Sequence, residues 1–162
     1  MTTMKRARRS SLILPVNVLR FVERAHTRDA DAVVLDLEDS VPPAEKGRAR
    51  MLVKDSIPLV ARGGAEVMVR VNNDPALMAE DVDASVHPGL DGLSIPKAES
   101  PEQIAMLASQ IERLERLRGL PPGHVRLSLA FETPRGVLRA QDIAEASPRI
   151  ATMSVGPEDY CL

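Results

Sequence analysis

The sequence predicts an α/β fold built on a parallel sheet or barrel, and three observations predict it. Six short apolar runs alternate with segments of helical period, the order of a repeated βα unit. The run Ala32 to Leu37 shows no polar alternation until its end, as in a strand covered on both faces. Three of the runs deliver carboxylates at the same end. Ala32-Val33-Val34-Leu35 leads into Asp36-Leu37-Glu38-Asp39, Leu127-Ser128-Leu129-Ala130-Phe131 into Glu132, and Ile150 to Val155 into Gly156-Pro157-Glu158-Asp159. In parallel α/β folds this end is where ligands and metals are held, because the strand ends and the loops after them form a common rim.

Taken in order, Ser11 to Val16 reads as the first strand, with Pro15 near its end. Asn17 is a helix cap for a segment from about Val18 to Arg28, in which Leu19, Val22 and Ala25 share a face. Ala32 to Leu37 is the second strand, and Pro43 opens a helix reaching Val60. Val67 to Asn72 is the third strand, and Pro75 to Val86 the helix after it. Leu90 to Lys97 is the fourth strand, with Lys97 at its lip. Ser100-Pro101-Glu102-Gln103 combines a cap, a first-turn proline and a capping-box Gln, and the helix runs until Gly119 and Pro121-Pro122 stop it. The fifth strand ends at Glu132, Gly136 to Ala146 is the next helix, and Ile150 to Val155 is the sixth strand. No covering helix is expected after it, so its edge and one apolar face are expected to be open. The alternatives are a complete open sheet of about six strands or the front part of a longer barrel.

The 162 residues are 44% hydrophobic and 27% charged with a net charge of -2, the balance of an ordinary globular domain. A nucleic-acid binder would carry a basic face and aromatic stacking residues, whereas Phe21, Phe131 and Tyr160 are the only aromatics here. No apolar run has the length to span a bilayer. The basic opening Lys5-Arg6-Ala7-Arg8-Arg9 reads as a solvated tail, since the apolar stretch after it is too short for a secretory signal. The single cysteine, Cys161, fits a reducing compartment, and a cytoplasmic protein is expected.

Six ordered pieces carry a family resemblance. They are Arg9-Ser10-Ser11-Leu12 with Pro15, Val33 to Pro42, Val69-Arg70-Val71-Asn72, Ile95-Pro96-Lys97, Phe131-Glu132-Thr133-Pro134-Arg135-Gly136 and Gly156-Pro157-Glu158-Asp159. In this order and spacing the chain resembles the citrate lyase beta subunit-like enzymes of the HpcH/HpaI aldolase superfamily. The resemblance implies a TIM (β/α)8-type barrel, of which residues 1–162 supply about the first six βα units as one incomplete barrel portion; strands seven and eight and the family's C-terminal lid have no counterpart.

The resemblance also implies Mg2+ or Mn2+ held by Glu132 and Asp159, and hard oxygen ligands of this kind suit such ions. Glu158 is the competing ligand. If the two continue a strand they face opposite ways, and the family pattern favours Asp159. Arg70 matches the family's substrate-holding arginine, which can clamp a carboxylate or steady an enolate oxygen; an ion pair to a neighbouring strand is compatible with that role. Asp36, Glu38 and Asp39 are expected behind the site, orienting Arg70 or metal waters, with Lys97 able to salt-bridge them. Arg20 and Lys46 are candidates for a coenzyme A phosphate site, or plain surface charges. Asp39 stands where the pyruvate-aldolase branch carries a histidine.

The activity so implied is carbon–carbon lysis of a 3-hydroxyacyl-CoA thioester such as malyl-, citramalyl- or citryl-CoA, or of its carrier-protein equivalent. Its oxo-acid product would be oxaloacetate, pyruvate or glyoxylate. Two alternatives remain: a truncated, catalytically silent metal- or CoA-binding protein, and a metal-dependent 2-oxo-acid aldolase. The family's habit implies a homo-oligomer, a trimer or hexamer.

Overall fold

The computed structural model describes residues 8–161. Six strands form one sheet: β1 (Ser11–Pro15), β2 (Ala32–Asp36), β3 (Glu66–Arg70), β4 (Gly92–Ile95), β5 (Arg126–Phe131) and β6 (Ile150–Val155). All neighbours are parallel and the order is β1-β2-β3-β4-β5-β6. A doubly wound sheet reverses its strand order at a switch point, and this one does not; strictly sequential winding is that of a barrel. The sheet is not closed, and β1 and β6 are its two edges.

The connecting helices are α1 (Leu19–Ala25), α2 (Lys46–Val60), α3 (Pro75–Ser85), α4 (Pro101–Leu117), α5 (Pro134–Leu138) and α6 (Ala140–Glu145). Val33 and Leu35, Val67 and Val69, Leu93 and Ile95, and Leu127, Leu129 and Phe131 meet Val53, Ile57, Ile104 and Ile111 in one buried core. Each such side chain contributes roughly 1.5–3 kcal/mol when fully removed from water, which clamps the sheet to its helices. On the other face the register sets Ile13, Val34, Met68 and Gly92 side by side. Gly92 is required there, since an added Cβ would lie 2.8 Å from the Arg126 carbonyl oxygen. Further along the strands, Asp36, Arg70, Ser94, Ser128 and Thr152 form the next polar row. This row approaches the C-terminal rim.

Several expected boundaries shift, each for a local reason. The second strand stops at Asp36, whose carboxylate accepts the Glu38 and Ser40 N–H groups, and the third at Arg70, beyond which the Asn72 N–H turns to Asp81. Gly92 rather than Leu90 begins β4, where the Asp91 carboxylate accepts the Val67 N–H. Asn17 does not cap α1; its amide donates to Glu45 at 2.6 Å, and the helix begins after Val18 without a side-chain cap. That helix ends at Ala25, earlier than expected, and Asp29 in the turn beyond has φ 54. Pro43 opens a 3-10 turn, Pro43–Glu45, that feeds α2. The single helix expected from Gly136 starts earlier, at Pro134, and breaks at Arg139 into α5 and α6.

After β6 one helical turn does follow, α7 (Pro157–Tyr160), started by its proline. It leaves β6 uncovered, with Met153 44% and Val155 57% exposed. Lys5 to Ala7 of the basic opening lie outside the described residues. Arg8 and Arg9 are more than a solvated tail: they pair with Glu66 at 2.7 Å and Asp31 at 2.9 Å.

Candidate active site

The strand ends assemble two charged groups that meet at Lys97. The first is centred on Arg70, the last residue of β3. Its guanidinium donates from Nε to Asp36 Oδ1 at 2.7 Å and from Nη2 to Asp36 Oδ2 at 2.8 Å. The remaining Nη1 lies 3.2 Å from Glu38 and 3.5 Å from Asp39. The pairing with Asp36 raises the Arg70 pKa further. Burial opposes ionisation of Asp36, but hydrogen bonds from Arg70, the Ser40 hydroxyl and the Glu38 N–H outweigh it and hold the carboxyl below its usual range. Glu38 goes the other way. Burial, then a hydrogen bond with Asp39, push its carboxyl up to about 7. The expected ion pair is thus present, with the bidentate geometry that fixes the plane of the guanidinium.

Lys46, expected as a phosphate contact or a plain surface charge, and Asn72 and Asp81, for which the sequence suggested no role, hold the loops around this pair. Lys46 donates to the Leu37 and Glu38 carbonyl oxygens, both at 2.9 Å, so its ammonium ties down the loop after β2. Asn72 Nδ2 donates to the same Leu37 oxygen at 2.9 Å and to Asp81 at 2.7 Å. Asp81, buried in α3, also accepts the Asn72 N–H and the Arg50 Nε. A carboxylate on the buried face of a helix demands such partners, and that was the one signal available. Ser40 had no signal beyond its place after Asp39.

The second group joins β4, β5 and β6. Lys97 sits two residues past β4 with φ 49, and its Nζ lies 3.5 Å from Glu38 and 3.3 Å from Asp159. Burial works against the Lys97 charge, but Asp159 and Glu38 prevail and its pKa rises. Glu132 follows β5 directly. Its carboxyl is raised first by burial and then by the Asp159 charge, with Lys97, through its charge and its backbone N–H, and Arg70 opposing. Among the described residues, Glu132 Oε2 is buried without a hydrogen-bond partner. Gly156 makes room for this side chain: an added Cβ would stand 2.6 Å from Glu132 Cγ. Asp159 and the exposed Glu158 occupy a helical turn rather than a strand, so strand alternation does not separate them. Contact does, because the ion pair to Lys97 belongs to Asp159.

A cleft of about 360 Å³ beside Arg70 is lined by Glu38, Asp39, Lys46, Asn72, Asn73 and Asp74. A larger one, about 750 Å³, opens between α3 and α4 and reaches Lys97, Arg135 and Arg139. Arg20 joins neither. It is exposed on α1, 5.0 Å from the ring of Phe21. Among the described residues no three His, Cys, Asp or Glu side chains gather as a metal cage. A hard divalent cation needs fewer, since magnesium is commonly held by one or two carboxylates with water completing its shell. The unpartnered buried oxygen of Glu132, facing the charge of Asp159, fits that donor set.

Comparison with known proteins shows the family and the fold. The family model described as HpcH/HpaI aldolase/citrate lyase matches residues 9–162. The citrate lyase subunit beta of Leuconostoc mesenteroides subsp. cremoris is 36% identical over 157 residues, which cover 96% of this chain and 52% of that one. An L-malyl-CoA/beta-methylmalyl-CoA lyase of Cereibacter sphaeroides is 31% identical, over 96% of this chain and 50% of its own. The chain spans about half the length of the curated relatives it matches. Among solved structures, the citrate lyase beta subunit from M. tuberculosis complexed with oxaloacetate and magnesium superposes with a TM-score of 0.66 at 30% identity, covering 94% of this chain and 60% of that chain. The Haloferax volcanii malate synthase pyruvate/acetyl-CoA ternary complex superposes at 0.78 with 17% identity, over 97% of this chain and 50% of that chain, a likeness of fold alone.

Proposed function

The chain belongs to the HpcH/HpaI aldolase/citrate lyase family, and from that premise we propose that it carries the site of a magnesium- or manganese-dependent carbon–carbon lyase of the citrate lyase beta type. Its substrate is a 3-hydroxyacyl-CoA thioester of the malyl, citramalyl or citryl kind. The observation that carries this reading is the convergence past the ends of β3, β5 and β6, where Lys97 joins Asp159 to Glu38, Glu38 faces Arg70, and a buried Glu132 oxygen stands beside the charge of Asp159. Relatives named as citrate lyase beta subunits and malyl-CoA lyases support it.

In this reading Glu132 and Asp159 hold the divalent ion. When bound, the ion polarises the oxygens of the oxo-acid half of the substrate. Arg70 would approach the same oxygens through Nη1, which Asp36 does not engage and which faces Glu38 and Asp39. There it would steady the alkoxide formed when the 3-hydroxyl gives up its proton. As the carbon–carbon bond breaks, that oxygen becomes the oxo-acid carbonyl and the bonding pair passes to the thioester enolate, which is then protonated. Asp36 keeps the guanidinium in that plane. Lys46 and Asn72 immobilise the Leu37–Glu38 backbone beside the smaller cleft, and Lys46 is the candidate for a CoA phosphate contact at its edge. The same carboxylates would serve a 2-oxo-acid aldolase. Asp39, in the place of that branch's histidine and 3.5 Å from Arg70, supports the thioester substrate instead.

Calorimetric titration of Mg2+ in the presence of oxaloacetate or pyruvate tests the site. Binding that disappears in Glu132→Ala is the expected result. A folded wild-type chain that takes up neither ligand overturns the reading.

A further inference from the structure

Lys97 touches both halves of the rim. Its ammonium is 3.3 Å from Asp159 and 3.5 Å from Glu38, and its backbone N–H supports the Glu132 carboxylate. The side chain is about one-third exposed, so it has room to move, whereas Glu38 is 7% exposed and fixed beside Arg70. A non-glycine residue at φ 49 is uncommon, and here it sets the Lys97 stem between the two carboxylates.

We infer that Lys97 is a resident counter-ion that a divalent cation displaces: it neutralises Asp159 in the metal-free site and is handed to Glu38 when the metal binds. This inference rests on the metal-site reading given above. The physical reason is charge. A divalent cation held by the Asp159 carboxylate meets an ammonium already in contact with that carboxylate, and like charges at such range repel strongly in a half-buried setting. Glu38 offers the nearest alternative, because its Oε1 is already within 3.5 Å of the ammonium, while its Oε2 faces Arg70 Nη1 at 3.2 Å and keeps the carboxylate in place. The transfer needs only a small swing of a flexible four-carbon stem.

The handover gives Glu38 a function separate from its contact with Arg70. It stores the displaced charge. Without it, no second carboxylate among the described residues stands within ion-pair distance of the ammonium, which must then compete with the metal for Asp159.

Mn2+ affinity, measured by calorimetry at fixed ionic strength and at a single pH above the value of about 7 to which the Glu38 carboxyl is raised, so that Glu38 is charged, tests this in wild type, Lys97→Met, Glu38→Gln and the double variant. The expected result is that Lys97→Met binds Mn2+ several-fold more tightly. Glu38→Gln is expected to weaken binding several-fold in the wild-type background and by less than about twofold when Lys97 is already Met, a non-additive cycle. A fixed field from independent charges instead makes Glu38→Gln cost the same in both backgrounds, and that additive outcome overturns the handover. So does Lys97→Met binding no more tightly than wild type. If folded wild type binds no Mn2+ at all, the metal-site reading itself fails, an outcome distinct from additivity. Lys97→Gln repeats the measurement should the Met variant fold poorly.

Discussion

Asp36 and Arg70 are neighbours twice over: they are partners in the β2–β3 register, and the guanidinium grips both carboxylate oxygens, at 2.7 and 2.8 Å. Asp36 is wholly buried. Removing one member of such a pair strands the other charge.

Asp36→Asn is therefore expected to cost about 3–5 kcal/mol of stability, read as a lower denaturation midpoint. In the fraction that remains folded, oxo-acid binding should weaken as well, because Arg70 loses the partner that sets its plane. A midpoint within experimental scatter of wild type would show that the pair contributes little.

Stability should depend on pH in two opposite stages. The Glu38 carboxyl, raised to about 7, holds its proton in the folded chain over a range where the unfolded chain has released it. Its contribution thus grows as pH falls from about 7 towards the ordinary Glu value of about 4.3. His87, whose pKa is lowered first by burial and then by Arg118 and Lys54, acts against this trend. Asp36 and Glu115 are held below the usual range, so their contribution is complete above it and is lost as pH drops through their folded values. Glu38→Gln separates the terms: denaturant midpoints of the metal-free protein should lose stability less steeply in the variant as pH rises from 5 to about 7. Identical slopes would exclude Glu38 as the source.

Gly156→Ala addresses the room left for Glu132. The backbone tolerates alanine at φ -89, but the new methyl would press on Glu132 Cγ at 2.6 Å. The expected outcome is a small change in melting temperature with metal affinity reduced about 10–100-fold, as for residues that orient ligands. Unaltered affinity would mean that Glu132 finds an equivalent position, or that it does not hold the ion.

Far from the rim, Glu115 accepts from both terminal nitrogens of Arg149, at 2.8 and 2.6 Å, and from the Val125 and Gly123 N–H groups. Burial alone would raise its pKa, and these bonds overturn that. Glu115→Ala should destabilise by about 3–5 kcal/mol while leaving the metal affinity of folded protein unchanged. A selective loss of affinity would link this pair to the site.

Local order along the chain was enough to reveal six strands, their alternation with helices and the carboxylates at three of their ends. Periodicity and strand termini are properties of short windows, and Ala32 to Asp36 or Ile150 to Val155 can be read without knowing their neighbours. Turn chemistry was less legible: Asn17 looked like a cap until Glu45 claimed its amide, because capping depends on which partner is nearer. The internal logic of the site needed the folded chain. Lys97, expected to pair with the acidic cluster of residues 36–39, reaches Asp159 as well as Glu38, Asp81 fastens Asn72, Lys46 ties down two carbonyl oxygens, and Gly156 makes space for Glu132. Each is a distance between groups separated along the chain, and such distances are set by sheet register and helix packing, which no short window of sequence contains.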